Sequence, residues 1–238
     1  MHSSIALQEL VVVIAATNHS PAVINLEFLK YSGIIPMEWE LARAPIYTPQ
    51  VVQLTFQNGV TITAQPNRVF FAEVIENKAV AEIEVAKLAR KYAQSLPNME
   101  FEAVGFNPTG HTSLGDQPEA IRQYFGETLL AAGPWMQVGQ APVRARINFT
   151  YTLERGQLNL TVSEAGLRQE DETVKPVIVF NGNFSYPVQG TNHSERLESL
   201  TQSLEYWQND LEAFEAIINQ NFLASHNSKP SLLSAFAA

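Results

Sequence analysis

The chain has 238 residues, 45% of them hydrophobic and 16% charged, with a formal net charge of −9 and no cysteine. Disorder of the whole chain is excluded, because that state needs few apolar residues and much charge. Scattered Lys and Arg in an acidic chain disfavour general nucleic-acid binding, which relies on basic groups facing phosphates. Without cysteine there are no disulfides, thiol nucleophiles, iron–sulfur clusters or Cys-ligated zinc.

The length fits one large domain or two small ones. The most apolar N-terminal run, Leu10 to Ala16, is too short for a bilayer, which takes about 20 residues. Glu9 precedes it and no Lys or Arg does, so the basic flank of a secretory signal is missing. A buried strand is expected there, in a soluble, cytoplasmic protein with no membrane span.

Thr17 to Pro21 reads as a turn or a helix entry. Val23 to Tyr31 fits the helix and strand periods equally, so both stay open. Met37 to Ala42 is a short strand candidate bounded by Pro45 and Pro49. Val51 to Phe56 and Val60 to Ala64 alternate around Asn58-Gly59, the pattern of a tight hairpin with a primed turn. Arg68 to Ile75 is a further strand. Ala79 to Ser95 sets Val80, Ile83, Leu88 and Tyr92 against Glu82, Glu84, Lys87, Arg90 and Lys91, which predicts a helix ended by Pro97. Phe101 to Phe106 alternates as a strand.

Asn107 to Gln117, rich in Asn, Pro, Thr, Gly and Ser, reads as a connection between domains. It divides the chain into an N-terminal half (1–110), a C-terminal half (111–224) and a tail (225–238). Asp116 opens a helix to about Ala131, with Glu119 at the capping-box position and Pro118 in the first turn. Pro142 to Leu153 and Gln157 to Glu164 form a hairpin around Arg155-Gly156. Ala165 to Lys175 is an exposed loop, and Pro176 to Tyr186 is a strand. Asn192 caps a long C-terminal helix, with Glu195 at the capping-box position. There Leu197, Leu200, Leu204, Trp207, Leu211, Phe214, Ile217, Ile218 and Phe222 recur in a pattern of threes and fours.

Hairpin, strand and helix follow one another at Val51 to Ser95 and again at Arg144 to Phe222. The predicted fold class is α+β, with antiparallel sheets, helices packed on one face and two similar halves. One continuous antiparallel sheet is the competing arrangement. The stretch from Glu195-Arg196-Leu197-Glu198 to Leu211-Glu212-Ala213-Phe214-Glu215-Ala216-Ile217-Ile218 resembles the C-terminal signature of a sporadically distributed family of bacterial proteins. They are of similar length and have no established function. The resemblance covers mainly the last third of the chain. Asn181 and Asn183 stand where that family often carries Asp. It implies a bacterial origin and two α+β halves, and it supplies no activity.

Chemistry is sparsely marked. The five histidines lie apart in sequence, without the spacing of a metal site. His19 and His193 each follow Asn and precede Ser. Gly110-His111-Thr112-Ser113-Leu114-Gly115 has a potential base and hydroxyls, but neither a nucleophile elbow nor a Walker lysine. It reads as a linker. Glu73, Glu76, Glu82 and Glu84 read as solvated surface charge. No catalytic residue, cofactor or metal is expected. Three groups are candidates for binding. Arg144 and Arg146 face one side of a strand and either pair with acidic neighbours or form a small partner-binding patch. Trp135 follows Gly133-Pro134 in a connection, where an aromatic either folds back onto its own sheet, the commoner outcome, or anchors an interface. Leu232, Leu233 and Phe236 lie at helical spacing beyond Pro230, as anchors for a partner groove. The reading that follows is a non-enzymatic protein that binds another protein or itself through a sheet edge, the long helix or the tail. The alternative is a small-molecule binder, or a weakly marked enzyme, with a pocket between the sheet and the C-terminal helix.

Overall fold

The computed structural model describes residues 4–115, 117–141, 143–169 and 172–224. Alternation along β1 (Ala6–Ala16) separates two faces of a sheet. Leu10, Val12, Ile14 and Ala16 are buried, and Val11, Val13 and Ala15 are half-covered. The period of two is what a strand with one packed face produces. Eight further strands continue the pattern: β2 (Ile46–Tyr47), β3 (Val52–Thr55), β4 (Val60–Gln65), β5 (Arg68–Val74), β6 (Phe101–Thr112), β7 (Arg146–Thr152), β8 (Gln157–Arg168) and β9 (Val174–Pro187). All nine join in one antiparallel sheet, in the order β2-β3-β4-β5-β1-β6-β9-β8-β7. The class is α+β, and the sheet is continuous.

The helices are α1 (Leu26–Tyr31), α2 (Val85–Ser95), α3 (Pro118–Tyr124), α4 (His193–Glu205) and α5 (Trp207–Ile217). α2 lies on β1 and β5, α4 and α5 lie on β6, and α3 lies on β9. α1 joins the same side, where Phe28 meets the ring of Tyr92 edge-on at 6.4 Å. The core between helices and sheet includes Leu10, Val12, Phe71, Phe106, Phe180, Leu200 and Phe214, each removed almost wholly from water. Burial of such side chains, at about 1.5–3 kcal/mol each, is the main favourable term.

Several local readings change. Val23 to Tyr31 resolves into a short tight turn and α1, because the Asn25 side chain accepts the Phe28 N–H and opens a helix. The Asn58-Gly59 turn carries a positive φ only at Gly59 (86°). Gly59 donates to the Phe56 carbonyl and Phe56 to the Val60 carbonyl, so the loop has three residues and a bulge, not two residues and a primed turn. Pro66-Asn67, with Asn67 at φ 64°, makes the tighter turn between β4 and β5.

The linker read at Asn107 to Gln117 is strand through Thr112, so Gly110 and His111 belong to β6. Proline is unusual in a central strand, because it cannot donate to the ladder. Gly182 of β9 accommodates Pro108: a Cβ there would fall 3.1 Å from Pro108 and 2.9 Å from the Phe214 ring. The exposed loop read at Ala165 to Lys175 shrinks likewise, as β8 and β9 run on to a turn closed by Gln169 N–H on the Thr173 carbonyl.

Two helix readings also shift. The helix expected from Ala79 begins at Val85, after a 3₁₀ turn at Val80–Glu82. Its start is set by Glu73, which faces the core from β5 at 1% exposure. One carboxylate oxygen accepts the N–H groups of Glu84 (2.7 Å) and Val85 (3.0 Å), and the other accepts from Lys78 at 2.8 Å. Glu73 is therefore a buried helix cap, not a solvated charge. At the C-terminal end Asn192 does cap α4, but the helix breaks at Tyr206 into α4 and α5 and closes in a π-helical turn at Ile218–Leu223. Leu200, Leu204, Leu211 and Phe214 are buried, whereas Trp207 is half-buried.

Candidate functional site

The two edges of the sheet differ. β2 has two residues and is flanked by Pro45 and Pro49; shortness and proline both discourage further pairing. β7 runs for seven residues, Arg146–Thr152, without proline or internal charge. It pairs with β8 on one side, Phe149 opposite Leu160 and Tyr151 opposite Leu158, and with no other strand among the described residues.

The direction of its backbone groups follows from the hairpin. Leu153 N–H donates to the Gly156 carbonyl at 2.8 Å, so the bonded pair sits at the turn. Antiparallel alternation then turns Tyr151, Phe149 and Ile147 toward β8. It turns the N–H and C=O groups of Thr152, Thr150 and Asn148 outward. The same alternation sets the side chains. Ile147, Phe149 and Tyr151 are half-buried on the helix side, and Phe149 stacks on Tyr151 at 6.1 Å and meets Phe222 edge-on at 5.3 Å. Asn148, Thr150 and Thr152 are exposed on the other face. Asn148 accepts from Thr161 (2.8 Å), and Thr150 donates to Asn159 (2.9 Å), so short uncharged side chains tie the edge strand to β8.

Of the two arginines of the expected patch, Arg146 opens this strand and Arg144 lies just before it. Arg144 is bonded to Glu164 at 3.2 Å, the ordinary outcome for an exposed cation. Arg146 is exposed and makes no ion pair among the described residues. Trp135, 40% exposed, lines an apolar pocket of about 110 Å³ with Phe125, Leu130, Met136, Val143 and Ala145. That pocket adjoins Arg146 through Ala145. Leu232, Leu233 and Phe236 lie outside the described residues.

A second cluster had no sequence signal. Arg155, in the β7–β8 turn, sets its guanidinium 4.2 Å over the Tyr206 ring and donates to Asp210 of α5 at 2.6 Å. The Tyr186 hydroxyl donates to the same carboxylate oxygen at 2.8 Å. Burial holds the Asp210 carboxyl above its usual range, against the opposing pull of Tyr186 and Arg155. Burial and the adjacent carboxylate push the Tyr186 hydroxyl well above its ordinary value. An open cleft of about 380 Å³ lies beside them, lined by Arg155, Tyr186, Ser199, Gln202 and Tyr206. The cluster ties the hairpin to the helix break. It contains no activated nucleophile.

His19 and His193 do different things despite their matching neighbours. His19 is buried between Gln65 and Tyr92. His193 is half-exposed in the first turn of α4, 3.6 Å from Glu100. Among the described residues no group of three His, Cys, Asp or Glu could hold a metal ion, and no helix is long and apolar enough to cross a membrane. No family model matches the chain, and no curated protein matches it.

Proposed function

We propose that this chain is a non-enzymatic interaction protein of the bacterial cytoplasm that engages another protein, or a further copy of itself, by adding a strand to β7. The observation that carries the reading is the contrast between the two edges. Outward backbone groups at Asn148, Thr150 and Thr152 are a template for an extended segment, since main-chain hydrogen bonds supply affinity in strand addition. Natural sheets usually blunt such an edge, as β2 is blunted here.

The reading of two similar halves draws support from strand order. From the centre outward the first part runs β1-β5-β4-β3 and the second β6-β9-β8-β7. Each innermost strand opens its half, and the rest follow in reverse order. In this reading β7 is the counterpart of β3, and among the described residues β3 is covered by β2 and β7 by no further strand.

A small-molecule site in the cleft beside Arg155 is the second reading, favoured by its place between the sheet and the C-terminal helices. It ranks lower because Asp210 already matches the charge of Arg155.

Thr150→Pro tests the edge. The Thr150 N–H points away from β8, so proline removes one edge donor and leaves the internal ladder intact. The expected result is an unchanged melting temperature with loss of a partner that co-purifies from the native cells. If the variant retains every partner of the wild type, the edge is not the docking site.

A further inference from the structure

The β7 edge is complementary to itself. We propose that its occupant is the β7 strand of a second copy, paired antiparallel about a two-fold axis at Thr150; this rests on the edge reading above. In that register Thr150 meets its own copy, and Asn148 meets Thr152. All three expose their backbone groups outward, so the pairs fall on hydrogen-bonding positions of the new ladder. A register displaced by one residue would set outward groups against inward ones and make no ladder.

Side chains favour the same register. Phe149 comes opposite Tyr151 of the other copy. Both are half-buried on the helix side, and aromatic cross-strand pairs stabilise antiparallel sheets. Arg146 comes opposite Glu154, in the turn just past the strand. Both are exposed, and neither has an ion-pair partner among the described residues. The two-fold makes this contact twice, once at each end. Between those ends, Ile147 to Leu153 carries no charge. That matters for a chain of net charge −9 meeting its own copy, because like charges on a shared edge would oppose pairing. An isologous contact closes on itself and stops at the dimer, and the blunted β2 edge prevents growth from the far side. One added strand pair is a small contact, of the size found in transient encounters, so the dimer is reversible.

Sedimentation equilibrium of the full chain, over a range of concentrations, tests the pairing. A reversible dimer is expected, and Thr150→Pro abolishes it. Arg146→Glu and Glu154→Arg, each turning two attractive contacts repulsive, each raise the dimer dissociation constant about tenfold. The double variant returns it to within about twofold of wild type. Both residues are exposed, so these swaps report on pairing even if the proline variant does not fold. A dimer indifferent to both swaps forms elsewhere and overturns the inference. A monomer at every concentration also overturns it: the edge reading then stands if Thr150→Pro still releases a co-purifying protein, and falls with the inference if it does not.

Discussion

The hydroxyl of Tyr92 on α2 lies 2.7 Å from Nε2 of His19, at the exit of β1. The other ring nitrogen, Nδ1, is 3.0 Å from the Gln65 carbonyl, which can only accept. Nδ1 therefore carries the proton, and Nε2 accepts from Tyr92. One neutral imidazole ties together β1, the end of β4 and α2.

Acid should loosen that tie. Burial lowers the His19 pKa from its ordinary 6.5, against a smaller opposing effect of the Gln65 bond. The unfolded chain then binds more protons than the folded one, so the contribution is complete above about pH 6.5 and is lost as pH falls below it. His111 is lowered as well, chiefly by burial, with Glu76 opposing, so the two histidines act in the same direction. Urea midpoints between pH 8 and 5 should fall less steeply for His19→Gln than for wild type. Equal slopes would remove His19 as the cause.

Leu204 of α4 is 2% exposed and sits just before the helix break at Tyr206. Leu204→Ala should cost about 2–5 kcal/mol in denaturant unfolding, through lost transfer energy and the cavity left behind. A variant as stable as wild type would mean that the α4 stripe is an unfilled surface.

Asp210 joins α5 to the β7–β8 turn through Arg155 and Tyr186. Asp210→Ala should cost about 1–3 kcal/mol, because the buried Tyr186 hydroxyl loses its acceptor. Asp210→Asn keeps an acceptor and removes a buried charge, so it should cost clearly less. If the two substitutions are equally damaging, charge matters more here than hydrogen bonding. If both are silent, the cluster does not hold the hairpin in place.

The elements legible in the residues are those whose information is local. Val51 to Ala64 alternates around Asn58-Gly59, and the structure has β3 and β4 there. Asn192 caps α4, and Leu200 and Leu204 of α4 are buried together with Leu211 and Phe214 of α5. A strand's period and a helix's cap need only a few neighbours along the chain, so the sequence by itself determined the α+β class and most of the core. What it misread depended on distant partners. Pro108 looks like a loop residue until Gly182, far along the chain, makes room for it in a strand. Glu73 looks like surface charge until the N-terminus of α2 arrives above it. The Arg155–Asp210 contact has no spacing to recognise, because its ends meet only after the sheet and helices have packed. The edge is the plainest case. β7 differs little in pattern from β8, and only the order of strands leaves β7 without a second neighbour among the described residues. Tertiary structure decided that, because a backbone hydrogen bond left unmade belongs to the arrangement of strands and not to any one of them.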